Sequence, residues 1–256
     1  MQQRLLEVTQ DLHGAQHALL ESYDPARLYA FRVAARRIRS ILKQMANHRS
    51  RELRKTWGGL AAVTGSARDW DVFQVTVDKL LEPDAANKFK DINHDRIASS
   101  RSAVVEMLES APWRRHLKEW DSYLETTEDA PLDATSGLAP LDRAFEKARR
   151  RLARAMVSNS DRAWHRFRIG VKEVRYVAEA KPGAPGASIA IETCKPLQTQ
   201  LGDWHDTVVQ LGLLEELQVV PVHEKLAVLI QARKLEFLSQ IRVMLAGTTL
   251  FSMQEK

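Results

Sequence analysis

The sequence predicts an all-α fold for this chain of 256 residues. Apolar residues recur at intervals of three and four over long segments, which is the spacing of a buried helix face. Glycine and proline are scarce, with 11 and 9 residues, and no clear run alternates between apolar and polar residues as a half-buried strand would. With 44% hydrophobic residues, the chain can bury a substantial core.

The apolar periodicity and the breaks between periodic segments predict the individual helices. In the first half, helices are predicted at residues 3–21, 26–47, 50–63, 69–81, 84–109 and 113–125. In the second half, helices are predicted at residues 140–157, 161–180, 188–200, 204–217 and 221–246. Asp24, which precedes Pro25, and Asp161 are the expected N-terminal signals of the two most basic helices.

One pattern of basic residues occurs twice in the chain at the same spacing. The first copy contains Tyr29, Arg32, Arg36 and Arg39, and the second contains His165, Arg168, Lys172 and Arg175. A second motif follows each copy, because Gly65-Ser-Ala-Arg-Asp69 is matched by Gly202-Asp-Trp-His-Asp206. The two glycines are expected in turns. The two aspartates are expected either to cap the helices that follow or to hold the neighbouring arginine side chains in place. The sequence thus predicts an internal duplication.

The duplication sets the predicted domain organisation. Residues 1–126 form the first helical repeat, residues 127–138 an acidic linker, and residues 139–256 the second repeat, within one domain that spans residues 1–256. Several long helices with short turns in each repeat predict two antiparallel bundles related by a pseudo-twofold axis.

The basic residues lie beside a predicted core-facing stripe. Leu28, Phe31 and Ala35 share one helix face, and a shift of one residue aligns the arginines next to it. Their aliphatic stems can cover apolar surface while the guanidinium groups reach a groove. We expect the two basic faces to line one central groove, where arginines match phosphate oxygens bidentately.

Net charge is only +5, but the positive charge is clustered. Residues 25–55 contain ten Lys or Arg and one acidic residue, and residues 143–175 contain eleven against three. Clustering of this kind focuses the electrostatic potential on one surface, which favours a polyanionic partner.

Together these motifs resemble those of the CHAD family, the conserved-histidine α-helical domain. The segment from Trp164 to Tyr176 is similar to the family's His-x-x-Arg motif throughout, whereas Tyr29 stands where the family carries its first histidine. The segments around Gly65 and Gly202 are similar to the family's paired Leu-Gly segments. The resemblance covers nearly the whole chain.

The resemblance implies a helical, internally duplicated domain that binds inorganic polyphosphate through a basic central groove and associates with polyphosphate granules. The residues to which it assigns binding are Arg32, Arg36, Arg39, His165, Arg168, Lys172 and Arg175, with Tyr29 in the place of the family's first histidine. Arg37 and Lys43 are weaker candidates. Tyr29 can donate one hydrogen bond to a phosphate oxygen, whereas His165 adds a pH-sensitive donor. The two halves are therefore expected to be functionally unequal.

Two other functions are open to a chain with spaced arginines. A nucleic-acid-binding protein would need base-stacking or groove-reading residues, but the six tryptophans are mostly in phase with apolar faces, as in a core. A metal-dependent polyphosphate-processing enzyme would need an acidic cluster, for which Asp69, Asp71 and Asp206 are candidates. No phosphate-binding loop or nucleophile elbow occurs in the sequence, and His13 and His17 lack an obvious third ligand. We therefore expect no catalysis, metal or cofactor.

The compartment follows from what the sequence lacks. Cys194 is the single cysteine, so no internal disulfide is expected. The N-terminus has no signal-peptide pattern, and no stretch of about 18 apolar residues suggests a membrane span. The expected location is the cytoplasm, and no membrane partner is expected. The family resemblance adds polyphosphate granules as the place within it, with granule proteins as further candidate partners.

Overall fold

The computed structural model describes residues 2–45, 48–126, 140–180 and 183–251. In these residues the backbone forms ten helices and no strand, so the predicted all-α class is confirmed. No helix in the described ranges combines the length and the apolar character needed to cross a membrane.

The chain divides into two compact units, Met1–Thr135 and Ser136–Lys256. The helices of the first unit are α1 (Gln2–Glu21), α2 (Pro25–Gln44), α3 (His48–Leu80), α4 (Pro83–Ile92), α5 (His94–Glu109) and α6 (Ala111–Thr126). The helices of the second unit are α7 (Pro140–Ser158), α8 (Asp161–Ala180), α9 (Ala187–Glu215) and α10 (Pro221–Ala246). The predicted linker, residues 127–138, lies outside the described residues.

In each unit the helix with the basic motif packs against the helix with the glycine motif. In the first unit α2 packs against α1 and α3, and in the second unit α8 packs against α7 and α9. The predicted core stripe of α2 is buried, with Leu28, Phe31 and Ile38 at most 1% exposed. The corresponding residues of α8 are fully buried, namely Trp164, Phe167, Val171, Val174 and Ala178. The apolar faces therefore fix which side of each basic helix remains available.

The predicted turns at Gly65 and Gly202 are wrong, because both glycines lie inside continuous helices. α3 runs through Gly65, and α9 runs through Gly202. A glycine inside a helix costs about 1 kcal/mol relative to alanine, whereas burying one large apolar side chain contributes about 1.5–3 kcal/mol. Leu201 and Trp204 are fully buried on α9, so their packing outweighs the glycine. Asp69 and Asp206 consequently lie within helices and do not cap them.

The predicted helix 84–109 is divided in two at Asn93. The buried Asn93 side chain donates through Nδ2 to the carbonyl oxygen of Phe89 at 2.8 Å. An asparagine side chain that binds nearby backbone competes with the regular helix hydrogen bonds. α4 therefore ends at Ile92, and α5 begins at His94.

The two basic helices begin differently. Asp24 caps α2 as predicted, since its Oδ1 accepts from the backbone amides of Ala26 at 2.8 Å and Arg27 at 3.3 Å. Asp161 lies in the first turn of α8, where its carboxylate binds Lys234 Nζ of α10 at 2.6 Å. The negative charge of this carboxylate also interacts favourably with the positive N-terminal end of the helix dipole.

Gly170 allows α7 and α8 to approach closely. A Cβ atom at this position would lie 3.2 Å from both Cα and Cβ of Ala148 on α7. This contact is tighter than ordinary van der Waals packing, so the α7–α8 interface depends on the missing side chain.

Candidate functional site

Three predicted arginines of α2 meet at one cleft in the first unit. Arg32, Arg36 and Arg39 line a space of about 50 Å³ between α2 and α3. The α3 side contributes Trp57 and Thr64, together with apolar groups. The spacing seen in the sequence thus places these cations along one surface, as a helix face requires.

Arg32 is held in place by α3. Its Nη1 donates to Thr64 Oγ1 at 2.6 Å and to the carbonyl oxygen of Ala61 at 3.3 Å. Burial lowers the pKa of Arg32, while the charge of Asp69 opposes that shift. Burial likewise raises the pKa of Asp69, against the effects of Arg32 and Arg68. Asp69 therefore serves as a counter-charge within the first unit.

Arg39 retains a buried donor for a ligand. Its guanidinium lies beside α3, where a Cβ at Gly58 would be 3.7 Å from Arg39 Nη2. Arg39 Nε and Trp57 Nε1 are both buried and have no hydrogen-bond partner among the described residues. A buried donor without a partner is costly, so an anion in the cleft could satisfy groups that the fold leaves unpaired.

Tyr29 contacts a further cation, Arg68, although neither residue lines the cleft. The tyrosine side chain is 52% exposed, and the Cζ atom of Arg68 lies 5.5 Å from its ring centroid. Arg68 is on α3, in the glycine motif, and it was not predicted as a site residue. The signal was available, because Arg68 occupies the position that matches His205 in the second copy of that motif.

In the second unit His165 contacts His205. The two ring centroids are 4.5 Å apart, and the rings are inclined by 48°. The Nδ1 atoms of both rings are buried and lack a hydrogen-bond partner in the part of the chain that the structure describes. Arg168 and Lys172 lie close enough for their charges to act on both rings. Three predicted residues of α8 are thus brought together with His205 of α9.

Both imidazoles are held towards their neutral forms. Burial, followed by the charges of Arg168 and Lys172, lowers the pKa of His165. Burial is also the largest cause for His205, where these cations and His165 add to the effect and lower the pKa to about 3. The pair is therefore neutral at physiological pH.

Arg175 is engaged within its own unit. Its Nε donates to Glu179 Oε1 at 2.7 Å, and its Nη1 donates to Gln198 Oε1 at 3.3 Å. The corresponding arginine of the first unit, Arg39, is not paired with a carboxylate in the described residues. The matching positions thus differ in the charge available to a ligand.

The two weaker candidates of α2 lie away from the cleft. Arg37 Nη1 pairs with Asp11 Oδ2 of α1 at 3.4 Å, and both side chains are 60% exposed. Lys43 is exposed in the last turn of α2. Neither residue lines the space between α2 and α3.

The acidic residues do not assemble into a metal site where the structure describes them. Asp71 is buried and accepts from Tyr23 Oη at 2.7 Å and from Arg101 Nη2 at 3.0 Å. Across the described ranges, no group of three or more His, Cys, Asp or Glu side chains is arranged to hold a metal ion. Asp71 instead joins α3 to Tyr23, which precedes α2, and to Arg101 of α5.

The tryptophans belong to the core, as predicted. All six are at most 4% exposed, and Trp57 packs edge-on against Trp113 and Trp120. None of these rings is available as an open stacking platform, and Trp57 meets the cleft while remaining fully buried.

Comparison with known proteins agrees with the fold and the motifs. The CHAD domain model matches residues 3–215. The crystal structure of the CHAD domain from the plant Ricinus communis is similar with a TM-score of 0.76 and 22% identity, covering 98% of this chain and 90% of that one. PptA from Streptomyces chartreusis is similar with a TM-score of 0.60 and 14% identity, covering 94% of each chain. No curated protein matches the chain. Because the family model spans most of the sequence, the chain belongs to the CHAD domain family.

Proposed function

We propose that this protein binds inorganic polyphosphate without processing it. The observation that carries the proposal is the convergence of Arg32, Arg36 and Arg39 on one cleft, with the Arg39 Nε donor buried and unpaired among the described residues. Polyphosphate binding is the known property of the family to which the chain belongs. Arginine forks suit tetrahedral phosphate oxygens, because two parallel N–H donors can reach two oxygens at once.

Binding is electrostatic in this proposal. Each phosphate of the chain carries about one negative charge, and its contacts with Arg and Lys release condensed counterions, so affinity falls steeply with salt. The neutral His165–His205 pair and Tyr29 add hydrogen-bond donors beside the fixed charges. Phosphate and pyrophosphate are expected to bind weakly, because they reach few of the cations that a long chain reaches.

The non-catalytic part of the proposal is supported by the residues at the cleft. Its lining consists of arginines, Thr64 and apolar groups, and the neighbouring Asp69 is balanced by Arg32 and Arg68. The hydroxyl of Thr64 already donates to the carbonyl oxygen of Leu60 at 2.8 Å and accepts from Arg32. Release of phosphate from long-chain polyphosphate in the presence of Mg²⁺, abolished by chelation, would contradict this part.

The test of binding is a calorimetric titration with long-chain polyphosphate, run in parallel with single-stranded DNA of matched charge at about 0.15 M salt. We expect tight binding of polyphosphate and weak binding of DNA. Equal affinity for both would mean that the site binds polyanions in general. If neither polyphosphate nor DNA binds, the arginines have a structural role and not a binding one.

Targeting to polyphosphate granules is the cellular consequence that we propose. A fluorescent fusion of the full chain should concentrate at granules, and a fusion with Arg36→Glu and Arg39→Glu should remain dispersed. Arg37→Glu is the matched control, since Arg37 lies on the α1 side of the same helix. Granule localisation that survives the double substitution would point to recruitment by another protein.

A further inference from the structure

The contact between His165 and His205 has a different chemistry from its counterpart in the first unit. In the second unit two half-buried imidazoles lie 4.5 Å apart between centroids, each with a buried Nδ1 that has no partner in the described residues. In the first unit the matching positions hold Tyr29 and Arg68, whose contact is a guanidinium over a phenol ring. The second unit thus carries titratable groups where the first carries a fixed charge.

The charges around the histidine pair are mostly positive. The groups whose charges act on the rings are Arg168 and Lys172 of α8. Lys147 and Arg151 of α7 pair with Glu173, and Lys234 of α10 pairs with Asp161. Arg168 and Lys172, like Asp203 and Asp206 of α9, also have interactions with other groups. A cationic surrounding of this kind attracts an anion and opposes protonation of either neutral imidazole.

We infer that the His165–His205 pair takes up a proton when inorganic polyphosphate binds, so that acidification tightens binding at the second unit. This inference rests on the proposed function. It adds His205 to the binding residues and makes the affinity of one unit dependent on pH.

The physical reason is the exchange of charge around the rings. In the free protein, burial and the two cations disfavour an imidazolium, which lowers the pKa of both histidines. A bound polyphosphate brings about one negative charge per phosphate and cancels the repulsion from Arg168 and Lys172. A protonated ring donates from both nitrogens, so it gains a hydrogen bond that the neutral ring cannot supply. Repulsion between two adjacent imidazolium rings limits the uptake to one proton.

The first unit provides an internal reference. The matching positions of the first unit, Tyr29 and Arg68, carry no imidazole, the side chain whose ordinary charge change falls between about pH 5 and 8. Binding through α2 and α3 should therefore be independent of pH in this range. A pH effect on affinity then reports on the second unit.

The experiment is a calorimetric titration of the full chain with long-chain polyphosphate, at several pH values and in two buffers that differ in ionisation enthalpy. A long chain is required because terminal phosphates titrate near pH 6 and must remain a small fraction of the groups. We expect an uptake of about one proton per protein molecule bound near pH 6. The affinity for polyphosphate should be higher at acidic than at neutral pH, by up to about tenfold for each unit by which binding raises the pKa of the histidine pair. His165→Gln and His205→Gln should abolish the uptake, and Tyr29→Phe should leave it unchanged.

The possible results separate the inference from the proposed function. Binding without proton uptake, or uptake that persists in both histidine variants, overturns the inference and leaves polyphosphate binding intact. Absence of binding at every pH overturns both. Should the variants fail to fold, imidazole titration of the wild-type chain by NMR decides the matter. A pKa that rises on addition of polyphosphate supports the inference, and an unchanged pKa overturns it.

Discussion

The third basic position of the repeated motif illustrates how surroundings decide the role of a residue. Arg175 binds Glu179 and Gln198, so a ligand must compete with a carboxylate for its guanidinium. Arg39 lines the cleft and keeps a buried Nε donor without a partner among the described residues. Residues that are equivalent in sequence are therefore expected to contribute unequally to binding.

Substitution of these two arginines tests that difference. Arg39→Gln should weaken polyphosphate binding by about 1.5–3 kcal/mol, the value of a hydrogen bond to a charged group, with little change in melting temperature. Arg175→Gln should weaken binding less and lower the melting temperature, because it removes an ion pair within α8 and a link to α9. Calorimetry and thermal unfolding of both variants give the comparison, and equal losses of affinity would count against it.

The residues of the site differ in how far the sequence could predict them. Arg32, Arg36 and Arg39 were predictable, because their spacing places them on one helix face beside an apolar stripe. Thr64 and Arg68 come from another helix, and their contacts with Arg32 and Tyr29 depend on how α3 packs against α2. Helix periodicity contains no information about that packing.

At the scale of the elements, the long helices α3 and α9 determine the geometry of both motifs. The sequence predicts that helices end near Gly65 and Gly202, because glycine is common just after the last residue of a helix. In the structure both helices continue, and among the described residues only Gly186 is a glycine with positive φ. Buried side chains on both sides of each glycine decided the outcome, a tertiary effect that local propensity cannot anticipate.

Alanine substitutions test whether these helices are continuous. Added Cβ atoms at Gly65 and Gly202 would meet no atom within 4 Å. Gly65→Ala and Gly202→Ala should therefore each raise the free energy of unfolding by about 0.5–1 kcal/mol, because alanine loses less backbone entropy in a helix. The measurement is urea unfolding followed by circular dichroism.

Gly170→Ala provides the control for the same substitution in a crowded place. There the added Cβ would lie 3.2 Å from backbone and side-chain atoms of Ala148, so we expect no gain in stability. If Gly65→Ala and Gly202→Ala lowered stability instead, the glycines would have to adopt a turn conformation that alanine avoids.

At the scale of the whole molecule, each unit has its own core and buries at least one histidine next to it. In the first unit His116 is 5% exposed and packs against Trp57 and Trp113, and neither ring nitrogen has a partner in the described residues. Burial lowers the pKa of His116, with Glu119 acting in the opposite direction. His165 and His205 are likewise held towards their neutral forms in the second unit. Acidification should therefore destabilise both units.

The sign follows from comparing the folded and unfolded states. An unfolded histidine has a pKa of about 6.5, so below that pH the unfolded chain binds protons that the folded chain excludes. The stabilisation is fully present above about pH 6.5 and is lost as the pH falls towards the lower pKa values of the folded state, by about 1.4 kcal/mol per pH unit for each such histidine.

Unfolding free energies at about pH 7.5 and pH 5 should show this loss for the wild-type chain, and a smaller loss for His116→Phe, which keeps an aromatic ring in the tryptophan cluster. Equal losses in the two proteins would mean that His116 already binds its proton in the fold. Polyphosphate should reduce the part of the loss that belongs to His165 and His205, because its charge favours their protonated forms, and should leave the part due to His116 unchanged.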